Sequence, residues 1–376
     1  MEEAAPERRF DAPIKGSRRD LELTRTVLGR WLAGPLGAGG AARVSPISTP
    51  AGTGVANETL IFDASWSAGG EERRLPLVAR VATDTPLYLD ADIETHYRMY
   101  EALADAPGVP VPSVYGYEAD PAVLGAPFFV MERIEGDIPG DRPHWSESGF
   151  VHDADPGQRR RLWESAVGAL AALHQVPVER FGFLAAADGA DGLAANLAYW
   201  RRYLDWATGD RPLDVLEQGW AYLDAHRPAD LPAGLSWGDS RIANVIFRDF
   251  RCVGVLDWDT VSLAGPETDL AWWIVMDGPG AERLPGIGTP DELVDLWESL
   301  TGRRCGDLDY VLVFTAFRLG AILCKLFGQM AASGLLAPAE AARQAAESDQ
   351  VRLLAVLLGV PPPGDGPVVV PRLRRR

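Results

Sequence analysis

Three side chains with fixed separations constrain this chain more than any other feature. Asp239 is followed five positions later by Asn244, and Asp257 comes thirteen positions after that. Residues 245–247 and 252–256 are short, β-rich apolar runs flanking Arg248–Arg251, a pattern that reads as a β-hairpin. Closing that hairpin carries Asp257 back beside Asn244. One acidic residue alone is more often a solvated surface group, but the ordered triple on a loop, a hairpin and a second loop carries a chemistry. A carboxylate can accept or orient the proton of an attacking hydroxyl. An Asn and an Asp, as hard oxygen ligands, can hold Mg²⁺ against phosphates. The spacing therefore points to phosphoryl transfer.

The same segment carries a family resemblance. Gly238-Asp239, Asn244, Asp257-Trp258-Asp259 and Asp269-Leu270-Ala271 resemble the pattern His-Gly-Asp-x-x-x-x-Asn, Asp-Trp-Glu, Asp-Leu-Ala of the aminoglycoside phosphotransferase/choline kinase-like family. Within it the chain is most similar to the small-molecule and acyl-CoA-dehydrogenase-associated phosphotransferases, over about residues 20 to 350. The resemblance implies an α+β, bilobal protein-kinase-like fold. Its N-terminal lobe has an antiparallel sheet plus a helix, and its larger C-terminal lobe is mostly helical. It also implies ATP or GTP as phosphoryl donor, Mg²⁺ as the metal, and a small-molecule hydroxyl as acceptor (aminoglycoside-like, macrolide-like or hydroxyacyl). Asp239 then serves the substrate hydroxyl, and Asn244 and Asp257 hold Mg²⁺. Arg241, two residues past Asp239, stands where protein kinases often neutralise the transferred phosphoryl, with a surface salt bridge as the alternative. Asp259 assists a second metal or orients its loop, and Asp269 receives backbone amides. Trp237 departs from the pattern, standing where the family has His. Its one donor and lack of an acceptor cannot reproduce the two hydrogen bonds of an imidazole. That departure keeps open a second reading, a nucleotide-binding pseudokinase without turnover.

Composition narrows the classes further. With 376 residues, 47% of them hydrophobic, the chain is long enough for two lobes with substantial cores. A net charge of −17 argues against nucleic-acid binding, which needs a basic face. The acidic surface either attracts cationic substrates or serves solubility. Cys252, Cys305 and Cys324 make no Cys-x-x-Cys pair, which favours a reducing compartment over a disulfide or zinc framework. With no apolar stretch near the first residues, the expected location is cytoplasmic. The most apolar stretch, 310–327, is interrupted by Arg318 and Lys325 and reads as a buried helix, so no membrane partner is expected.

Along the chain, 1–16 reads as a frayed N-terminus and 17–133 as a nucleotide-binding lobe ending in a hinge. The catalytic and acceptor-binding lobe follows at 134–360, then a flexible Pro/Arg tail at 361–376. A capping box at 17–20 opens a helix to about Leu32. Strands are expected at 57–64, 75–81, 113–118 and 126–131, with a turn at Gly69-Gly70 and a helix at 90–104. Helical periodicity marks 156–174, 193–206, 213–225, 267–276, 292–300, 308–327 and 337–358, whose tryptophans are core by default.

The nucleotide end is less specific. The small-residue loop at 51–56 suits a backbone approach to phosphates, with Thr53 and Asn57 as contacts. Arg80 is a cation in an otherwise apolar strand, costly without an anionic partner, and stands where the resemblance implies a phosphate-binding Lys. Its carboxylate partner is expected to be Glu94, with Glu101 and Asp92 as rivals; His96 at that position instead alters the ion pair. Backbone groups around Met131 and Arg133 are expected to meet the adenine edge. His174, like the other histidines, lacks ligand spacing and reads as packing or surface.

Overall fold

Gly69 and Gly70, at φ 63° and 84°, form the tight turn between two long strands, β2 (Asn57–Ala68) and β3 (Glu71–Ala82). Both central residues lie in the left-handed region, the requirement of a two-residue hairpin whose twist matches its strands. In the computed structural model, which describes residues 19–49, 57–186, 189, 191–229, 231, 233–371 and 373, this hairpin is the spine of the first of two compact units. That unit holds the described residues up to Pro86 together with Val114–Arg133. With β1 (Arg43–Val44), β4 (Val114–Glu118) and β5 (Phe128–Glu132) the hairpin makes an antiparallel sheet ordered β1-β2-β3-β5-β4. Helix α1 (Leu21–Trp31) contributes Leu28 to a core with Leu60, Phe62, Leu77 and Val130. Its N-cap is Asp20, which accepts from the amides of Glu22 and Leu23; Ser17 of the expected capping box lies outside the described residues. Strands β2 and β3 extend past their expected ends because cross-strand pairing carries polar residues 65–68 and 71–74, where hydrophobicity gives no signal.

The second unit holds Leu87–Ser113 and the described residues from Ile134 onward. Residues 87–113, which the sequence assigns to the first lobe, join it because helix α6 (Gly192–Thr208) grips them. The Tyr203 and Tyr199 hydroxyls donate to the carbonyls of Leu87 (2.8 Å) and Leu89 (2.9 Å), and Arg202 pairs with Asp90. Helix α2 (Ile93–Leu103) follows. Apart from two single turns, α3 (Pro121–Leu124, in the first unit) and α4 (Phe150–Asp153), the longer helices are α5 (Pro156–Leu173), α7 (Asp214–Ala225), α8 (Glu267–Arg283) and α9 (Pro290–Thr301). They surround α10 (Leu308–Ala332), which packs on α6, α7, α8 and two C-terminal helices and is continuously buried from Tyr310 to Ile322. By length and composition alone α10 is apolar enough to cross a membrane, yet most of it lies inside this unit.

The single helix expected at 337–358 is two, α11 (Pro338–Ala346) and α12 (Asp349–Leu357). Apolar periodicity continues through the break, but the Ser348 hydroxyl caps the amide of Val351 and starts a new helix. The described tail beyond Pro361 forms no helix or strand, and its Gly366 carbonyl accepts a hydrogen bond from Arg352.

Candidate active site

Strands β6 (Val245–Arg248) and β7 (Arg251–Val255) pair antiparallel, with Asp249 (φ 50°) and Phe250 (φ 59°) turning the hairpin. At its open end Val245 faces Val255, and the Leu256 amide donates to the Asn244 carbonyl at 3.0 Å. Asn244 and Asp257 are thereby set side by side, as the spacing predicts. Asn244 Nδ2 donates to the backbone carbonyl of Asp239 (2.9 Å) and to its Oδ2 (2.7 Å). Both partners can only accept, which fixes the amide orientation and leaves Oδ1 as the atom that could act as a ligand. Asp257 itself stands at φ 69°, a left-handed conformation that costs about 1–2 kcal/mol for a residue with a Cβ. Among the described residues no group of three or more His, Cys, Asp or Glu is placed to hold a metal. An Asn carbonyl plus one carboxylate nevertheless suits Mg²⁺, which keeps waters and takes its remaining ligands from phosphates.

Behind this loop lies Asp269, fully buried in the first turn of α8. Its Oδ2 accepts from the Trp237 amide (2.6 Å) and His174 Nε2 (2.9 Å); its Oδ1 accepts from the Gly238 amide (2.8 Å) and the Ser236 hydroxyl (3.1 Å). Trp297 Nε1 donates to His174 Nδ1 at 2.9 Å, so the imidazole must carry its proton on Nε2. His174 is therefore a relay bracing residues 236–244, the candidate catalytic loop, a role that a separation of 95 residues hid from sequence reading. Gly238 is required at φ 92°, because a Cβ there would meet the Thr260 carbonyl oxygen at 2.2 Å.

Trp237 corrects the expectation drawn from its missing acceptor. Its one indole N–H is bifurcated, reaching the carbonyls of Leu256 (3.0 Å) and Asp257 (2.7 Å). One donor thus ties the catalytic loop to the loop of Asp257. Asp259 turns to the α2 helix, where buried His96 Nε2 lies 2.9 Å from its Oδ1, and its amide donates to Asp257 Oδ1 at 3.2 Å.

Further charged groups pack against the loop. Arg241 Nε sits 3.2 Å from Asp239 Oδ2 and its guanidinium also pairs with Asp141. Burial opposes its charge, but Asp239 and Asp141 outweigh burial and hold it protonated above its ordinary value. Asp277 on α8 accepts from the Ile242 amide at 2.8 Å; burial pushes its carboxyl up to about 7, against the pull of that amide and of Arg241. Two groups that no motif or periodicity placed here complete the shell. Trp272 Nε1 donates to Asp239 Oδ1 at 2.6 Å, and Arg318 donates to the Gly238 carbonyl at 2.9 Å. A separate cavity of about 420 Å³, lined by Arg343, Glu347 and Arg352 among others, includes none of the catalytic-loop residues.

The Phosphotransferase enzyme family (APH) profile matches residues 59–300, well over half of the chain. The chain belongs to the APH phosphotransferase family. Its matches among curated proteins include human acyl-CoA dehydrogenase family member 11 (25% identical over 250 residues, 63% of this chain and 30% of that protein). Mouse acyl-CoA dehydrogenase family member 10 is 28% identical over 183 residues, 48% of this chain and 16% of that protein. The chain spans less than a third of the length of these relatives. Among solved structures, a candidate aminoglycoside phosphotransferase from Ralstonia eutropha superposes with a TM-score of 0.65 at 22% identity, covering 89% of this chain and 97% of that one. The aminoglycoside phosphotransferase APH(4)-Ia, in ternary complex with AMP-PNP and hygromycin B, gives 0.54 at 15% identity over 89% and 98%. Macrolide 2'-phosphotransferase MphH from Brachybacterium faecium gives 0.51 at 17% identity over 84% and 96%. These neighbours establish the kinase-like α+β fold.

In this APH chain the residues expected at the nucleotide end are spread over both units. Arg80 lies on β3 and donates to Thr59 Oγ1, its neighbour across the hairpin, at 2.7 Å. Its expected partner Glu94 belongs to the other unit, in the first turn of α2, whose N-cap is Asp92; Glu101 accepts from the Tyr97 hydroxyl at 2.8 Å. Asn57 is buried at the start of β2, and Thr53 lies outside the described residues. Met131 sits in β5 between β3 and β4. The Arg133 amide donates to the Pro76 carbonyl at 2.9 Å, so that N–H is already committed within the sheet unit and is not free for a base edge.

Proposed function

We propose that this chain transfers the γ-phosphoryl group of ATP to a hydroxyl of a small molecule. The observation that carries the reading is the pair of Asn244 bonds onto Asp239. They lock the carboxylate and point the amide oxygen away as a ligand, while the Leu256–Asn244 backbone bond sets Asp257 alongside. Asp239 accepts or orients the acceptor hydroxyl proton, and Arg241, held on Asp239, keeps positive charge beside the reacting groups. Asn244 and Asp257 would hold Mg²⁺, which would neutralise charge on the phosphate oxygens. Arg80 supplies a cation for the nucleotide phosphates, with Thr53 and Asn57 as further contacts and backbone around Met131 toward the adenine. ATP is favoured over GTP because APH(4)-Ia was solved with AMP-PNP and with ADP. A cytoplasmic location goes with this proposal.

The test is a screen of hydroxyl compounds (aminoglycosides, macrolides and hydroxyacyl compounds) with Mg²⁺-ATP, read by mass spectrometry for a phosphorylated product. A product made by the wild type and reduced about 10²–10⁴-fold by Asp239→Asn supports the proposal. Equal product from Asp239→Asn overturns the assignment. Nucleotide binding without any product supports a binding module instead.

A further inference from the structure

Arg318 is a guanidinium in the middle of an apolar helix, 1% exposed, with Phe317 and Leu319 as neighbours in sequence. No carboxylate lies within ion-pair distance of it among the described residues, and its Nε has no hydrogen-bond partner. Burial opposes its charge, and the nearby Asp269 and Asp239 carboxylates offset only part of that cost. What it does engage is the catalytic loop. The guanidinium lies 4.4 Å from the Trp272 ring centroid and 4.9 Å from that of Trp200, and donates to the Gly238 carbonyl. The far edge of the same Trp272 indole donates to Asp239 Oδ1 at 2.6 Å. Asp239 Oδ2 is held from the other side by Asn244. Neither carboxylate oxygen can turn without breaking a short hydrogen bond, and the ring that holds Oδ1 is itself clamped by a cation.

We propose that Trp272 and Arg318 act as a positioning pair that fixes the Asp239 carboxylate, Arg318 acting through the Trp272 ring and the Gly238 carbonyl. The pair rests on the phosphotransferase reading of Asp239 and adds the element that sets its rotamer. Gly238, with no side chain and a left-handed φ, is the point in the loop where an unheld peptide would rotate most easily, and Arg318 holds its oxygen.

The test uses the full chain and two readouts. The first is the slow hydrolysis of Mg²⁺-ATP with water as acceptor. Trp272→Phe, which keeps the ring and removes the N–H, and Arg318→Met should each lower kcat by roughly tenfold or more with the KM for ATP little changed. Arg318→Lys should recover part of the loss, and the double variant should lose less than the product of the two single losses, because the two share the route through the Trp272 ring. The second readout needs no turnover. In ¹⁵N-labelled protein, the indole resonance missing from Trp272→Phe should shift in Asp239→Asn. It should exchange faster with solvent in Arg318→Met, with Arg318→Lys between. An indole resonance that is indifferent to Arg318→Met in a folded protein, or strictly additive kcat losses, overturns the pair. If Arg318→Met does not fold, Arg318→Lys and Trp272→Phe carry the same comparison. A wild type without turnover whose indole still responds removes the phosphotransferase reading and leaves the pair standing.

Discussion

Asp269→Asn removes a charge at the point where four donors converge, and the identity of those donors sets the cost. The Asn has one acceptor oxygen and one donor amide. His174 cannot adapt, because Trp297 occupies its Nδ1 and fixes the proton on Nε2. The amides of Trp237 and Gly238 are backbone donors and cannot adapt either. Only the Ser236 hydroxyl can rotate and accept. The least costly arrangement keeps the Asn oxygen on Trp237 and His174 and turns its amide toward Ser236, which orphans the Gly238 N–H. One buried unsatisfied amide costs about 1–3 kcal/mol, and loss of charge assistance on the remaining bonds adds about 1–2 kcal/mol. The variant should therefore unfold with roughly 2–5 kcal/mol less free energy at unchanged denaturant slope. Urea titration followed by tryptophan fluorescence measures this. ATP turnover should fall more than ATP affinity, since the orphaned amide immediately precedes Asp239. In a His174→Gln background the same substitution should cost less than the sum of the two single losses, because the buried imidazole donor is already gone. A loss below about 1 kcal/mol, or full additivity with His174→Gln, would show that Asp269 is not the brace described.

Asp277→Asn tests the other buried anchor. An acid whose native value is raised to about 7 gives stability that is fully present below its unfolded value near 4 and lost as pH rises through 7. The variant should gain on the wild type by at most roughly 1.4 kcal/mol per pH unit across that window; a difference in unfolding free energy independent of pH would refute it. Glu267 is buried, and burial raises its pKa against the pull of nearby backbone amides and Arg303; Glu267→Gln should raise Tm at pH 8 relative to the wild type, with a smaller gain at acidic pH, and an equal gain at both would count against the reading. Asp257→Ala should lose Mg²⁺-dependent nucleotide affinity while remaining folded, and calorimetry showing unchanged Mg²⁺-ATP binding would sink its role as ligand. Trp237→Phe strands the carbonyls of Leu256 and Asp257 and should weaken Mg²⁺-ATP binding by about 1–2 kcal/mol, with little effect on metal-free nucleotide; equal loss in both would mean that the indole N–H serves the fold alone.

What could be read from the letters was local. The hairpin that joins Asn244 to Asp257 is written in two short β-rich runs around a turn, and the Gly69-Gly70 turn is as plain. Element ends failed where pairing or capping overrode hydrophobicity, at the polar ends of β2 and β3 and at the Ser348 cap between α11 and α12. The groups that brace the site stayed hidden for a different reason. His174 reaches Asp269 across 95 residues, Arg318 reaches Gly238 across 80, and Trp145 reaches Asp277 across 132, separations at which no periodicity speaks. One of them nevertheless left a trace. A cation in an apolar run needs a reason to be there, and that consideration singles out Arg80. Applied evenly, it selects Arg318 with more force, since Arg80 is only half-buried whereas Arg318 is sealed in the core of α10. Treating Arg318 as a mere interruption of a hydrophobic stretch discards that signal. A charge that breaks a buried pattern marks the place where packing was given up for something else, and here that place lies one hydrogen bond from the catalytic loop.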